Sequence, residues 1–231
     1  MRKLFLFIVC FILFGVGIKA QRFPQAVLPG DYPDPSILRD GKDYYMTHSP
    51  FYYAPGFLIW HSTDLMRWEP VCRALPEYEG SAMAPDLLKY QGRYYIYYPT
   101  STGENYVIYA DDIRGPWSRP VKLDVRGIDP GHVVGEDGKR YLFTNNGWIT
   151  PLSDDGLKVT GKSRKVYDGW KYPANWVTEG KDMYLESPKL LYKDGYYYMM
   201  SAEGGTAGPA TSHMCVVARS KSVFGPWENS P

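Results

Sequence analysis

The stretch Gly92-Arg-Tyr-Tyr95 decides the fold, because it recurs three more times along the chain. The copies are Gly41-Lys-Asp-Tyr-Tyr45, Gly138-Lys-Arg-Tyr141 and Gly195-Tyr-Tyr-Tyr198, and in each a tyrosine stands three residues after the glycine. Each glycine lies in a polar turn between two apolar or aromatic stretches, which is the signature of a β-hairpin. The four hairpins therefore predict a repeat of roughly 50 residues.

The repeat continues on both sides of each hairpin. An apolar pair precedes the four turns: Ile37-Leu38, Leu87-Leu88, Val133-Val134 and Leu190-Leu191. A tryptophan closes three of the four repeats: Trp68, Trp117 and Trp227. Helical periodicity is nearly absent, and a period of this length with several short strands is typical of one four-stranded propeller blade. The sequence therefore predicts an all-β fold, a β-propeller with about four blades in this chain.

The first 20 residues have the pattern of a secretory signal peptide. Arg2 and Lys3 precede an apolar run from Leu4 to Ile18, and Ala20 is a small residue before the expected cleavage point. An uncleaved membrane anchor is the alternative, although the run is short for a membrane-spanning helix. We therefore predict a signal peptide over residues 1–20, a propeller domain over residues 21–231, and a secreted or periplasmic protein with no stable membrane span after cleavage.

Charge and cysteine usage narrow the class of partner. The formal net charge of the whole chain is +1, and no basic tract remains after residue 20, which argues against a nucleic-acid partner. Cys72 and Cys215 have no metal-ligand spacing. They either form one disulfide in an oxidising compartment or remain two thiols, and the sequence leaves both readings open.

Three acidic residues stand in a common position relative to the repeat. Asp34, Asp129 and Glu186 each lie three or four residues before the apolar pair of their repeat, beside a proline. Equivalent residues at the inner strands of a propeller converge on its axis, so we expect these acids to share one pocket. Met83 takes this position in the second repeat. Asp86 is out of register, and we expect it to cap a turn or to face a neighbouring strand.

Convergent carboxylates suit the hydrolysis of glycosidic bonds. One carboxylate must be ionised to activate water, and one must be protonated to donate to the leaving oxygen. Crowding of like charges keeps one acid protonated near neutral pH. Residues that face a wet channel can also be acidic without a catalytic role, and this remains the competing interpretation.

Three segments resemble the signature segments of family 43 glycoside hydrolases: Asp31-Tyr-Pro-Asp34-Pro-Ser, Gly127-Ile-Asp129-Pro-Gly-His132 and Leu185-Glu186-Ser-Pro-Lys. The resemblance extends from Val27 to Trp227. It implies a five-bladed propeller and an inverting enzyme that cleaves xylosides or arabinofuranosides in pentose-containing plant polysaccharides. A fifth blade would follow Pro231, so the domain is expected to be C-terminally incomplete.

The resemblance also implies roles for individual residues. Asp34 corresponds to the general base, Glu186 to the general acid, and Asp129 to the carboxylate that tunes and orients the acid. Phe51 corresponds to an aromatic residue that some members place beside the bound sugar, with ordinary loop packing as the alternative, and Met83 stands where many members have tryptophan. Apart from the resemblance, Glu203 lies in a glycine-rich segment and could hydrogen-bond sugar hydroxyls. Phe51, Met83 and Glu203 are therefore the candidates for substrate binding. The enzyme is expected to need no cofactor. Some family members hold a structural cation in the channel, so a structural calcium ion near His132 stays open, although the sequence has no metal-binding motif.

Two other functions fit the same features. A non-catalytic propeller could bind saccharides without cutting them, but it would have less need for three carboxylates. A retaining propeller hydrolase that acts on fructose-containing sugars would hold its acids closer together. The choice between xylose and arabinofuranose depends on the shape of the pocket, which the motifs leave open.

Overall fold

The computed structural model describes residues 26–78, 80–171, 185–204 and 214–230. Four antiparallel sheets of four strands each account for nearly all of this structure. The only other regular element in these ranges is a short 3-10 turn over Asn145–Gly147. None of the helical structure there is long and apolar enough to cross a membrane. The predicted signal peptide lies outside the described residues.

Each sheet is one blade whose strands follow chain order from the axis outward. Blade 1 contains β1 (Ser36–Asp40), β2 (Asp43–Thr47), β3 (Gly56–Ser62) and β4 (Glu69–Leu75). Blade 2 contains β5 (Asp86–Tyr90), β6 (Arg93–Pro99), β7 (Asn105–Ala110) and β8 (Val121–Leu123). Blade 3 contains β9 (Gly131–Val134), β10 (Arg140–Thr144), β11 (Trp148–Pro151) and β12 (Arg164–Lys165). Blade 4 contains β13 (Leu185–Lys193), β14 (Tyr196–Glu203), β15 (Met214–Ser220) and β16 (Glu228–Asn229).

The repeated glycines occupy the hairpin turns that join the first two strands of each blade, as the sequence predicted. All four have a positive φ, from 64° at Gly41 to 85° at Gly92. A residue with a side chain is strained in this region of backbone space, whereas glycine is not. The recurring glycine is therefore a requirement of the turn, and it marks one blade each time.

Apolar side chains between adjacent sheets hold the blades together. Phe57 and Ile59 of blade 1 pack with Ile96 of blade 2. Further cores of the same kind join blade 2 to blade 3 and blade 3 to blade 4. At the ends of this series Ile37, Leu191 and Met200 remain about half exposed, at 54%, 56% and 48%. Apolar side chains thus remain uncovered on blades 1 and 4, at the two ends of the described series.

The same strained turn leads into the first strand of every blade. In blades 1 to 3 the residue two positions before the first strand has a left-handed backbone, and a proline follows it. In blade 4 the equivalent residue lies inside β13, two positions before the pairing resumes at Lys189. The four residues and their φ angles are Asp34 (53°), Ala84 (41°), Asp129 (58°) and Ser187 (49°). Such positions cost on the order of 1–3 kcal/mol each and cluster at functional sites.

The position of this turn shows that the register predicted for Glu186 differs from the observed one. Asp34 and Asp129 are equivalent, but their counterpart in blade 4 is Ser187, and Glu186 stands one residue earlier. The cause is a β-bulge in β13, where Glu186 pairs with Ala202 and Lys189 pairs with Met200. An extra residue turns the preceding side chain toward a new direction. The expectation of a single shared register is therefore wrong for Glu186.

Candidate active site

The structure places the three predicted acids close enough for their charges to interact. The pKa of Asp129 is raised to about 6. Burial is the main cause of this rise, and repulsion by Glu186 and then by Asp34 adds to the effect of burial. Asp129 is 9% exposed, Glu186 is half-buried and Asp34 is exposed. Carboxylates from blades 1, 3 and 4 therefore line one site that runs from solvent to the buried Asp129.

A buried serine fixes the orientation of Asp34. The Ser49 hydroxyl donates a hydrogen bond to Asp34 Oδ2, and its oxygen accepts one from the backbone amide of Ala84 at 2.6 Å. The backbone amide of Ser49 also donates to the Pro33 carbonyl at 2.9 Å. Blade 2 thus holds the Asp34 carboxylate in place while this carboxylate stays open to water. Ser49 was not predicted as a site residue, because a lone serine after a strand carries no recognisable signal.

Two groups oppose the rise in the pKa of Asp129. The positive charge of Lys189 and the backbone amide of Ser187 both lower the pKa of Asp129, and the first of these is the stronger. They do not cancel the effect of burial and of the two neighbouring acids. Asp129 therefore holds its proton to a higher pH than an exposed aspartate does.

Asp86 lies outside the acid cluster, as predicted, and faces a neighbouring strand. Its Oδ2 accepts a hydrogen bond from the backbone amide of His132 in blade 3, at 2.8 Å. Its Oδ1 forms an ion pair with Lys189 Nζ of blade 4, also at 2.8 Å. Both carboxylate oxygens are thus engaged in contacts between blades. No role was predicted for Lys189 from the sequence, although it is the last residue of the third signature segment.

Phe51 and Met83 lie at the same mouth as Asp34. The backbone amide of Phe51 donates to the Ala82 carbonyl at 2.9 Å, which places Phe51 beside Met83. Phe51 is 36% exposed and Met83 is half-buried. Phe51 stands two residues after Ser49, and Met83 stands one residue before Ala84, which are the two residues that hold Asp34. Contact of either side chain with substrate stays a prediction.

Glu203 lies at the end of β14, where it pairs with Leu185 next to Glu186. It is 3% exposed, and its Oε1 accepts a hydrogen bond from the backbone amide of Trp170 at 2.8 Å. This carboxylate therefore anchors the segment that follows blade 3. A direct contact of Glu203 with sugar stays a prediction.

The surroundings of His132 do not suit a calcium ligand. Its Nε2 accepts a hydrogen bond from Arg140 Nε at 3.0 Å. Burial, and then the charge of Arg140, lower the pKa of His132 to about 3, so the ring is neutral. Within the described ranges no three His, Cys, Asp or Glu side chains converge as metal ligands. The calcium ion stays an untested expectation without a ligand set on the described residues.

Four-stranded blades with carboxylates at the inner ends of their first strands define a β-propeller with an acidic axial site. The sequence comparison then assigns the family, because residues 23–231 match the profile of glycosyl hydrolases family 43. The chain therefore belongs to glycosyl hydrolases family 43, and it forms four blades of a propeller of the five-bladed type. Both the predicted family and the predicted fold are confirmed.

Several relatives carry names that refer to pentose sugars. A xylosidase/arabinosidase of Butyrivibrio fibrisolvens is 34% identical over 89% of this chain and 43% of its own length. A non-reducing end alpha-L-arabinofuranosidase of Bacteroides ovatus is 31% identical over 99% of this chain and 44% of its own. The crystal structure of xylan beta-1,4-xylosidase from Bacillus halodurans superposes with a TM-score of 0.76, at 33% identity, over 91% of this chain and 44% of that one. The chain thus spans less than half the length of these relatives.

Proposed function

We propose that this protein is a glycoside hydrolase that cleaves xylosides or arabinofuranosides in plant polysaccharides or oligosaccharides, with inversion at the anomeric carbon. The observation that carries the proposal is the meeting of Asp34, Asp129 and Glu186 from three blades. Burial and like charges there raise the pKa of Asp129 to about 6. The names of the family's relatives support the choice of pentose substrates.

The three acids differ in exposure in the way that the proposed roles require. Asp34 is exposed and held by Ser49, so it can accept a proton from a water molecule that attacks the anomeric carbon. Glu186 donates its proton to the glycosidic oxygen as the bond to the anomeric carbon breaks. Asp129 is the neighbouring carboxylate in the proposal, and once it ionises it places negative charge beside Glu186.

The leaving group provides the sharpest test of Glu186. A natural sugar is a poor leaving group and needs the acid, whereas dinitrophenolate departs with little help. Glu186→Gln should therefore lose on the order of 10³-fold in kcat on xylo- or arabino-oligosaccharides and far less on dinitrophenyl glycosides. The assays should use the protein in the longest form that its gene encodes.

The matched control for this test is Glu69→Gln, which changes an exposed glutamate of β4 on the outer edge of blade 1. It should leave both activities within about twofold. Equal losses on good and poor leaving groups for Glu186→Gln, with chemistry shown to limit the rate, would remove Glu186 as the acid.

The stereochemistry of the first product separates inversion from retention. Proton NMR of a freshly started reaction should show the sugar with the opposite anomeric configuration to the substrate. A product with retained configuration would favour a covalent intermediate and the fructan-type alternative. Binding of oligosaccharides by calorimetry without any turnover would favour the non-catalytic alternative.

We also propose that the protein is exported to the periplasm or the exterior. The basic start, the short apolar run and Ala20 support this placement. N-terminal sequencing of the protein recovered from its native cells should begin at or near Gln21. A mature protein that starts at Met1 in the cytoplasmic fraction would contradict the proposal.

A further inference from the structure

Lys189 connects its own blade to two others beside the acid cluster. Its Nζ forms the ion pair with Asp86 at 2.8 Å, and it donates hydrogen bonds to the carbonyls of Pro130 at 2.9 Å and Pro85 at 3.3 Å. Lys189 itself belongs to β13 of blade 4, while Pro85 and Asp86 belong to blade 2 and Pro130 to blade 3. Its three protons thus meet acceptors from the two preceding blades.

The position of Lys189 follows from the repeated turn. It is the second residue after the left-handed residue of blade 4, as Ser36, Asp86 and Gly131 are in blades 1, 2 and 3. Three of these residues have side chains that contact another blade. The Ser36 hydroxyl accepts a hydrogen bond from the backbone amide of Leu87, and Asp86 accepts one from the backbone amide of His132. Lys189 is the third, and its contacts run from blade 4 to blades 2 and 3.

The bonds of Lys189 reach the residues that flank the acids. Pro130 follows Asp129 directly, so a bond to its carbonyl restrains the peptide that carries the Asp129 side chain. Gly131 approaches blade 4 closely, since a Cβ atom there would lie 1.7 Å from the Pro188 carbonyl oxygen. The Asp129 turn and the bulge behind Glu186 are therefore locked against each other.

We propose that Lys189 is a positioning residue for the hydrolytic site: its ammonium group, held by Asp86, fixes the Asp129–Pro130 turn against the strand that carries Glu186 and places a positive charge beside the acids. The inference rests on the proposed function for its catalytic meaning. The geometry itself does not depend on turnover.

The charges around Asp129 predict the direction in which each substitution acts. Glu186 of β13 and Asp34 of the turn before β1 repel an ionised Asp129, while Lys189 and the Ser187 amide of β13 attract it. Asp86 of β5 faces Lys189 and neutralises part of its charge. Loss of the lysine should raise the pKa of Asp129 further, and loss of Asp86 should lower it.

The test is a carbon-13 carboxyl NMR titration of the chain, with the Asp129 signal assigned by its absence in Asp129→Asn. Lys189→Met should move the Asp129 titration to higher pH, and Asp86→Asn should move it to lower pH. Lys189→Arg, which keeps the charge, should leave it close to the wild-type value. Lys193→Met is the matched control, because Lys193 is an exposed lysine at the far end of the same strand and should cause no change.

A cooperatively folded Lys189→Met protein whose Asp129 titrates as in the wild type would overturn the proposal. If Lys189→Met fails to fold, Asp86→Asn decides alone, and an unshifted or upward-shifted Asp129 titration overturns it. This readout needs no substrate, so absence of turnover in the longest form that the gene encodes would refute the proposed function and leave the titration result standing. In an active protein Lys189→Met should lower kcat on the order of 10- to 100-fold on good and poor leaving groups alike, with little change in KM.

Discussion

Blades 2 and 3 begin with the same turn and use it in opposite ways. Blade 2 carries Ala84 before the proline and Asp86 after it, whereas blade 3 carries Asp129 before the proline and Gly131 after it. Both acids are buried, at 8% and 9% exposure. Asp86 faces the cation of Lys189, and Asp129 faces Glu186 and Asp34.

The difference shows how one backbone can support both structure and chemistry. A carboxylate after the proline is paired with a cation and joins the blades. A carboxylate before the proline is crowded by like charges, which is the condition that tunes a catalytic acid. Two positions in a shared turn thus separate an acid that holds the fold from an acid suited to catalysis.

The largest expected effect concerns Asp34, the blade 1 counterpart of Asp129. Asp34→Asn should reduce kcat on the order of 10³-fold or more on every substrate, because water attack needs a base whatever the leaving group. Rates on dinitrophenyl glycosides and on oligosaccharides measure this loss. Asp31→Asn, an exposed acid of the same segment, should stay within about threefold. A selective loss on oligosaccharides alone would assign Asp34 to leaving-group protonation instead.

A substitution at Gly131 tests why blade 3 has a glycine at the position where blade 2 has Asp86. Gly131→Ala would place a Cβ atom against the Pro188 carbonyl and should lower the free energy of unfolding by about 3 kcal/mol, as measured in urea. Gly138→Ala is the control, because its Cβ would meet nothing within 4 Å and only the φ of 75° is unfavourable. That change should cost about 1 kcal/mol. Equal losses for the two variants would contradict the close contact between blades 3 and 4.

Asp129→Asn should stabilise the protein at neutral pH. The folded pKa of about 6 lies above the ordinary value of 3.8, so the native state binds the extra proton and wild-type stability falls as pH rises from about 4 to 6. Asparagine does not ionise, so the variant does not lose stability in this way. The difference in the free energy of unfolding between variant and wild type amounts to at most about 3 kcal/mol above pH 6. Urea unfolding at pH 4 and pH 7 should show the difference only at pH 7. A destabilised variant at pH 7 would show that the Asp129 charge is favourable in the fold.

Asp86→Asn should change the free energy of unfolding in the opposite direction to Asp129→Asn, and by a smaller amount. The amide keeps an acceptor for the His132 backbone but loses the charge that pairs with Lys189, so the free energy of unfolding should fall by about 2 kcal/mol. Asp111→Asn is the control, since that acid is 82% exposed in its ion pair with Arg93 and should change stability by less than about 0.5 kcal/mol. If Asp86→Asn and Asp129→Asn shift stability at pH 7 in the same direction, the contrast between the two blades fails.

Much of the fold and part of the site could be predicted from the sequence. Each blade needs the same hairpin turn, the same strand pairing and the same packing. For this reason the sequence repeats the turn glycines, the apolar pairs and the closing tryptophans. The three acids could be found because each lies beside a proline before an apolar pair. Glu203 was selected on its sequence context, and the structure shows its bond to the Trp170 backbone, a long-range contact that local sequence does not encode.

The sequence by itself determined the all-β propeller, the repeat boundaries and which acids belong to the axis, because these depend on local turn and strand preferences. Only the tertiary structure decided that Glu186 stands one residue out of register, since a β-bulge is defined by pairing with another strand. It also decided that Asp86 pairs with Lys189 while Asp129 is crowded. Electrostatic partners 103 residues apart in the chain meet only when the blades assemble, and the pKa of a buried acid depends on which of those partners it meets.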